Sequence, residues 1–206
     1  MARRTAAQRL EDVALPQQWP PSGPALGEAI TALAHHGRRR LLDELTVNGP
    51  APVGALADAV GMAPGSASHH LRVLARAGFI VPAPDLATDT RQSWWRCAHR
   101  TLEWADDAFA AGSAGQELGR LAGRANLDYL IAAVRRWSSA PEQPGWDGTV
   151  VDALTQATAD QCADLGRRLS EVMAQWVREC HEDGEARPDV ERQPVRVVAL
   201  TFPEAR

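Results

Sequence analysis

The sequence predicts a mainly helical protein with small β parts, an α+β fold, and three observations lead to this prediction. Apolar residues recur at helical spacing through much of residues 25–100, and this stretch ends in two short β-rich runs. Residues 101–139 also have a helical pattern. Residues 140–206 contain one amphipathic stretch between two segments rich in β-branched residues, which predicts a small α/β unit. The length of 206 residues and the 45% apolar composition are those of an ordinary globular protein.

The composition excludes several classes of protein. No stretch reaches the ~18 uncharged apolar residues that a membrane span requires, and no apolar run follows the basic residues at the start, as it would in a secretory signal. The three cysteines, Cys97, Cys162 and Cys180, are too few and too far apart for a disulfide scaffold, and we interpret each as a small buried apolar group. We therefore expect a cytoplasmic protein that does not contact a membrane.

Charge is distributed unevenly along the chain. Residues 27–100 carry eight arginines against six acidic residues, and they contain five of the six histidines. Residues 101–206 carry eleven arginines against eighteen acidic residues. A polyanion such as a nucleic acid would therefore meet the first of these segments more easily than the second.

Three short helical segments follow one another in the first half of the chain. The first runs over 37–48 and is closed by an Asn-Gly-Pro sequence, and the second runs over 53–60 and stops at Gly61. The third runs over 64–77, with a proline suited to its first turn and a glycine suited to its C-terminal cap. Two short helices separated by a turn that contains glycine form a helix-turn-helix pattern.

The third segment has two distinct faces when its residues are placed at 100° intervals. One face is an apolar stripe that we expect to be buried: Ala67, Leu71, Leu74, Ala75 and Gly78. The outward face carries small residues first and hydrogen-bond donors after them: Gly65, Ser66, His69, Val73 and Arg76, with Arg72 beside them. This face has no acidic residue, which suits a helix whose N-terminal end enters the major groove of DNA. The alternative is an exposed helix of a purely structural helix-turn-helix.

A hairpin is predicted directly after this helix, which is the position of a wing. Its two β-rich runs are residues 79–82 and 91–97, with a turn-rich segment between them. Arg91, at the base of the wing, would contact phosphate. Asp85 and Asp89 lie near the tip and have the wrong sign for insertion between phosphates. We therefore expect the wing to pack or to graze the DNA rather than to penetrate it.

The residues quoted so far carry a specific resemblance over about residues 25–100. The chain resembles the ArsR-type winged-helix transcriptional regulators in an Arg-Arg-Arg-Leu-Leu run at residues 38–42 and in the short helix over 53–60. The clearest part of the resemblance is a Ser-x-His-Leu-x-x-Leu-x-x-Ala-Gly segment, carried by Ser68, His70, Leu71, Leu74, Ala77 and Gly78.

The resemblance implies a homodimer that binds a palindromic operator, as a transcriptional repressor would. It implies a dimer interface made largely by helices outside the winged domain. It also implies contacts with double-stranded DNA from these matched positions: Pro64, Gly65, Ser66, Ser68, His69 and Arg72. Arg76 and Arg91 complete the set of predicted DNA-binding residues.

Metal sensing, which many members of that family perform, is not predicted for this chain. The segment over 54–60 lacks the Cys-x-Cys pair of thiolate sensors, and Asp106 and Asp107 have no histidine beside them on the same predicted helix. His35 and His36 are adjacent and therefore do not share a helical face. We expect no metal ion and no cofactor.

The second half of the chain leaves its role open. A helix is predicted over 156–180 with Thr155 as its N-cap, between strands at 149–154 and 195–202 that would pair with each other. Four tryptophans lie in this half, and they either form packing contacts or line an apolar effector pocket: Trp104, Trp137, Trp146 and Trp176. No catalytic motif occurs here, so we do not expect an enzyme.

These patterns predict four regions and leave one rival function. The regions are a flexible N-terminal arm (1–24), a winged helix-turn-helix domain (25–100), a helical dimerisation region (101–139) and a strand–helix–strand unit (140–206) that serves as an effector or dimer module. The principal prediction is a DNA-binding regulator, with or without a small-molecule effector. The rival is a winged-helix module that docks on a partner protein.

Overall fold

A computed structural model of the protein describes the chain in these stretches: residue 29 and residues 31–87, 92–99, 114–141, 145–146 and 148–203. The chain divides into two units, Met1–Asp128 and Tyr129–Arg206. Several sequence predictions fall outside the described residues. They are the flexible arm over 1–24, the position of Asp89, the phosphate contact of Arg91, the helical pattern over 101–113 and the packing or pocket role of Trp104.

The first unit contains three helices and three short strands ahead of the long helices, with a 3-10 turn at Pro84–Leu86 between the last two strands. They are α1 (His36–Asn48), β1 (Ala51–Pro52), α2 (Val53–Ala59), α3 (Pro64–Arg76), β2 (Ile80–Pro82) and β3 (Trp94–Cys97). Two long helices follow, α4 (Ala114–Ser138) and α5 (Ala159–Ala186), and the boundary between the units falls within α4. The described chain is mainly helical with a small antiparallel sheet, which confirms the predicted α+β class with its winged helix-turn-helix.

Local hydrogen bonds set both ends of α1. His35 is the N-cap, and its Nδ1 accepts a hydrogen bond from the backbone N–H of Gly37 at 3.1 Å. At the other end Gly49 has a φ of +79°, which glycine adopts at little cost, and its N–H donates to the carbonyl of Leu45. The predicted end of this helix at residues 48–50 is therefore confirmed.

Proline and glycine delimit α3 in the same way. Pro64 occupies its first turn, where the missing N–H costs nothing. At the C-terminal end Gly78 has a φ of +80°, and its N–H donates to the carbonyl of Ala75. The N–H of Phe79 donates to the carbonyl of Leu74, which completes a Schellman motif. This turn directs the chain from the helix into β2.

The core of the first unit lies where α1, α2, α3 and β2 meet. Its largest fully buried side chains are Leu41, Leu45, Leu56, Leu71, Leu74, Phe79 and Ile80. The predicted stripe of α3 is confirmed at Ala67, Leu71 and Leu74, which are inaccessible to solvent, whereas Ala75 and Gly78 are only half-buried. The prediction of Val73 on the outward face was wrong, because this residue is half-buried and packs against the core.

The sheet has β3 at its centre, with β1 and β2 antiparallel on either side. Ala51 pairs with Trp95, and Ile80 pairs with Cys97. The hairpin of β2 and β3 is the predicted wing. The sequence did not predict β1, because a strand of two residues that ends in Pro52 has no alternating pattern.

A buried arginine connects α1 to the N-terminal part of α4. Arg39 is only 7% exposed, and its Nη1 donates to the side-chain oxygen of Asn126 at 2.9 Å. Its Nε lies 3.4 Å from a carboxylate oxygen of Asp43, one turn further along α1. A guanidinium leaves water at a large cost unless its N–H groups find partners, so these contacts fix α4 against the domain at this point.

The helix of the second unit begins three residues later than predicted. Its N-cap is Thr158 rather than Thr155, and Thr158 forms a capping box with Gln161. The reciprocal bonds need a glutamine or glutamate three positions after the cap, and Thr155 is followed at that distance by a threonine. The prediction of this N-cap was therefore wrong, although the helix itself forms.

The two strands predicted around this helix do not form. Residues 148–203 contain no strand, and the segments 149–154 and 195–202 have no regular secondary structure. Val151 is 88% exposed and Phe202 is 70% exposed, so neither segment has a covered face. A strand is stabilised by its pairing and by burial of one face, which β propensity alone does not supply. The strand–helix–strand unit is therefore corrected to a helix with irregular flanks at residues 149–154 and 195–202.

The positive φ of Gly78 makes a specific prediction for stability. We expect Gly78→Ala to lower the free energy of unfolding by ~1–2 kcal/mol, because an added Cβ is strained in this conformation. Nothing lies within 4 Å of that Cβ position, so no steric clash contributes to the loss. The measurement is urea or thermal unfolding of the full chain.

Gly54→Ala is the matched control. Gly54 also has open space around an added Cβ, but it lies in α2 without a positive φ. We expect this variant to keep or slightly raise stability, because alanine has the higher helix propensity. Equal unfolding curves for the two variants would contradict the explanation.

Candidate nucleic-acid interface

The outward face of α3 presents most of the predicted DNA-binding residues to solvent. Six of them are exposed along this helix: Pro64, Gly65, Ser66, His69, Arg72 and Arg76. Ser68 is half-buried, and Arg91 lies outside the described residues. Gly65, Ser66, His69 and Arg76 lie on the side away from the buried stripe. This side of the helix can therefore approach a groove without disturbing the core.

The N-terminal end of α3 leaves backbone donors available. The N-cap is Ala63, which has no side chain to accept a hydrogen bond, and the first turn contains no acidic residue. The N–H groups of Gly65 and Ser66 have no carbonyl one turn earlier in the helix. These donors and the positive end of the helix dipole favour an anion such as a phosphate group.

Gly65 is not required by the packing of the protein. A Cβ built at this position meets nothing within 4 Å, and the residue does not have a positive φ. The glycine therefore leaves open space at the tip of the exposed face. A backbone without a side chain can come close to a ligand surface, which is one of the common uses of glycine.

Arg72 is oriented by a neighbour on the same helix. Its Nη2 donates to the hydroxyl of Ser68, one turn earlier, at 2.9 Å. The resemblance implied that Ser68 contacts DNA, but in the structure its hydroxyl holds the guanidinium of Arg72. The spacing of four residues could have revealed this pair, since such side chains meet on a helix.

A cluster of histidines adjoins the exposed face of α3, and the sequence analysis did not identify it. The rings of His35 and His70 have centroids 4.4 Å apart, and the ring of His69 lies edge-on to that of His70 at 5.5 Å. Burial lowers the pKa of His70, and the neighbouring His35 and Arg38 lower it further. Burial and Arg38 also lower the pKa of His35. The sequence could not give this contact, because it joins two different helices.

The wing loop contains an ion pair that reduces its negative charge. A carboxylate oxygen of Asp85 lies 3.7 Å from Nη1 of Arg96, whose side chain is almost completely buried. Asp85 was expected to disfavour phosphates near the tip, and this pairing offsets part of its charge. Asp89, the other acid of the predicted tip, lies outside the described residues.

The described residues contain no group of three or more histidine, cysteine, aspartate or glutamate side chains arranged to hold a metal ion. Burial raises the pKa of the Cys97 thiol to about 11, and its Sγ lies 3.4 Å from the hydroxyl of Thr46. The expectation of burial was wrong for Cys162 and Cys180, which are exposed on α5. These two lie on a helix without any buried residue.

The tryptophans of the second unit are partly exposed. Trp137 is 52% exposed, Trp146 is 42% exposed and Trp176 is 39% exposed. The ring of Trp137 lies against Gly148, where an added Cβ would meet it at 2.2 Å. Partly exposed indoles fit neither a closed core nor a closed pocket, so both interpretations of these residues stay predictions.

Comparison with known proteins found a similarity within the first unit. A model of a helix-turn-helix domain family matches residues 33–82, from the end of the helical residues before α1 to the end of β2. Neither the search of curated proteins nor the search of solved structures found a match. The match supports a helix-turn-helix regulator that binds DNA. Among the described residues, no helix is long and apolar enough to cross a bilayer.

Proposed function

We propose that the protein is a sequence-specific, ArsR-like regulator of transcription, a homodimeric repressor that acts in the cytoplasm and has no catalytic activity. The observation that carries the proposal is the face of α3. It is exposed, it lacks acidic residues, and its N-terminal end has uncapped backbone donors beside an unobstructed glycine. A protein-docking module would not need these features together, whereas a helix that enters a DNA groove does.

In the proposed complex, the N-terminal end of α3 lies in the major groove. The backbone N–H groups of Gly65 and Ser66 bind a phosphate, and small residues there allow a close approach. Ser66, His69 and Arg72 reach base edges, of which guanine is the usual partner of an arginine. Arg76 and Arg91 contact phosphates and contribute an affinity that depends on salt.

Dimerisation would place two copies of α3 on successive turns of the operator, about 34–36 Å apart. The long helices outside the winged domain supply the expected surface. Leu121 is 56% exposed on α4, and Val134 on the same helix is 47% exposed. A monomer gains nothing from such exposed apolar residues, and a symmetric partner would cover them.

A small-molecule effector is a second proposal, and it concerns only the second unit. The partly exposed indoles of Trp137, Trp146 and Trp176 would bind an apolar compound. Such a ligand would change the tryptophan fluorescence of the free protein without DNA present.

The first experiment selects binding sites from random duplex DNA with the purified full chain and then titrates the selected duplex with salt. We expect a palindromic site and an affinity that falls linearly with log salt, by about 0.9 per phosphate neutralised. Weak binding without any sequence preference would contradict the proposal and would favour the protein-docking alternative.

Arg72 and Ser68 allow a double-mutant test of base reading. Arg72→Ala should weaken binding to the selected duplex by ~1–3 kcal/mol. Ser68→Ala should cost less, and in the Arg72→Ala background it should cost nothing further, because its proposed role is to hold that guanidinium.

Arg168→Ala is the control for this pair. Arg168 is an exposed arginine on α5 that pairs with Asp164 at 2.8 Å, so its loss removes one charge without touching the interface. Unchanged affinity in a folded Arg72→Ala variant would contradict the assignment of Arg72. Additive losses would show that Ser68 contacts the DNA by itself.

Gly65→Leu tests the close approach of α3. The free protein has room for the new side chain, so we expect normal stability. Affinity for the selected duplex should fall by about tenfold or more, or ~1.4 kcal/mol, because the leucine would occupy the space of the DNA. Gly54→Leu, at an equally open position on α2, should bind as the wild type does. The idea fails if both variants bind equally well.

A further inference from the structure

The contact between His35 and His70 joins the two helices that set the orientation of the DNA-reading face. His35 lies at the N-terminal end of α1, and His70 lies in the middle of α3. Their ring centroids are 4.4 Å apart and the rings are tilted by 41°. The contact therefore joins the start of α1 to α3 next to His69, whose ring lies edge-on to that of His70.

Both rings are used in their neutral form. Nδ1 of His35 accepts the N–H of Gly37, which it can do only without a proton. Nδ1 of His70 is buried and has no hydrogen-bond partner. A proton on His35 Nδ1 would remove the cap of α1, and a proton on His70 Nδ1 would bury a charged donor without an acceptor.

The charges that act on the two rings disfavour protonation as well. On its own helix His35 meets Arg38 and His36, and from α3 it meets His69. His70 meets His35 and Arg38 from the side of α1 and His69 on its own helix. No carboxylate is among these groups, so a proton on either ring meets only like charge. Arg38 is itself held in place, since its guanidinium donates to the carbonyls of Thr31 and Ala32.

We propose that His35 and His70 form a proton-sensitive positioning pair, which holds α3 against α1 when neutral and loosens that contact when protonated. Acidification would then weaken the seating of α3 and, with it, operator binding. The operator consequence rests on the proposed function, whereas the loosening of the contact does not.

The sign of the pH dependence follows from the lowered pKa values. A histidine with a lowered pKa in the folded chain binds fewer protons there than in the unfolded chain. The pair therefore stabilises the fold fully above the ordinary histidine pKa of 6.5, and this stability is lost as the pH falls from there towards the lowered values. His69 lies on the exposed face that would read DNA, so the comparison must use variants that retain His69.

The test compares the full-length wild type with two variants that remove one titrating ring each. His70→Phe keeps a ring against His35 and replaces the buried nitrogen by carbon. His35→Asn keeps an acceptor suited to an N-cap but does not titrate in this range. His181→Gln is the control, because it removes a histidine of α5 that pairs with Glu185 far along the chain.

Two quantities are measured between about pH 7.5 and about pH 5.5. The first is the equilibrium constant for folding of the first unit, measured by urea unfolding without DNA. The unfolding transition of this unit is the one that Gly78→Ala shifts. On acidification we expect this constant to fall by roughly tenfold more in the wild type than in His70→Phe. The fall in His35→Asn should lie between those two, and the fall in His181→Gln should equal that of the wild type. The second is the affinity for the selected duplex. The wild-type affinity divided by the His70→Phe affinity should decrease over the same range of pH.

Each outcome decides the proposal. A flatter pH profile in both variants supports it, and a wild-type profile in both variants overturns it. Flatter unfolding profiles with an unchanged affinity ratio would overturn the operator consequence alone. If no duplex is selected at all, the proposed function fails, and the unfolding measurement by itself still upholds or overturns the proton-sensitive contact.

Discussion

The burial of one side of α3 is the interaction on which the rest of the first unit depends. Leu71 and Leu74 are completely buried, and they pack with Leu41, Leu45 and Leu56 from the two preceding helices. Burial of each such side chain contributes about 1.5–3 kcal/mol to the stability of the folded chain. Since this stripe fixes the rotation of α3 about its axis, it also determines which residues remain outside. The exposed face that carries the proposed function is thus a consequence of the core.

Polar contacts then fix what the apolar core leaves free. Apolar packing is not directional, so it does not by itself set the angles between helices. The hydrogen bond from Arg39 to Asn126 and the ring contact of His35 with His70 are directional, and each joins two helices. The first is buried, and breaking it would remove one of the contacts that compensate the guanidinium of Arg39 for its loss of water. The second lies nearer the surface, where protons can reach it.

The two units differ in how much of their apolar surface one copy of the chain buries by itself. The first unit buries a cluster of large side chains, whereas α5 in the second unit has no buried residue. Apolar residues in the irregular segments on either side of α5, such as Val151 and Leu154, are more than four-fifths exposed. A segment in this condition gains stability only when something covers it, which agrees with the proposed role of this region in assembly or in effector binding.

The sequence by itself determined the elements of the helix-turn-helix and the faces of α3. These depend on local features: Pro64 and Gly78 at the ends of a helix, and apolar residues at helical spacing between them. The same periodicity predicted the outward face, whereas the family resemblance added Pro64 and Ser68 to the predicted contacts. Contact with DNA stays a proposal for all seven residues. The prediction of Thr155 as the N-cap of α5 rested on residue type alone. The helix instead begins after Thr158, because Thr158 and Gln161 form reciprocal hydrogen bonds.

Only the tertiary structure decided which distant residues meet. The strands at 149–154 and 195–202 failed because strand formation needs a partner and a covered face, and composition supplies neither. The pairing of Asp85 with Arg96 and the contact of His35 with His70 join separate elements, so no spacing in the sequence encodes them. Periodicity reports what a helix does within itself, and the approach of two elements depends on the packing of all the residues between them.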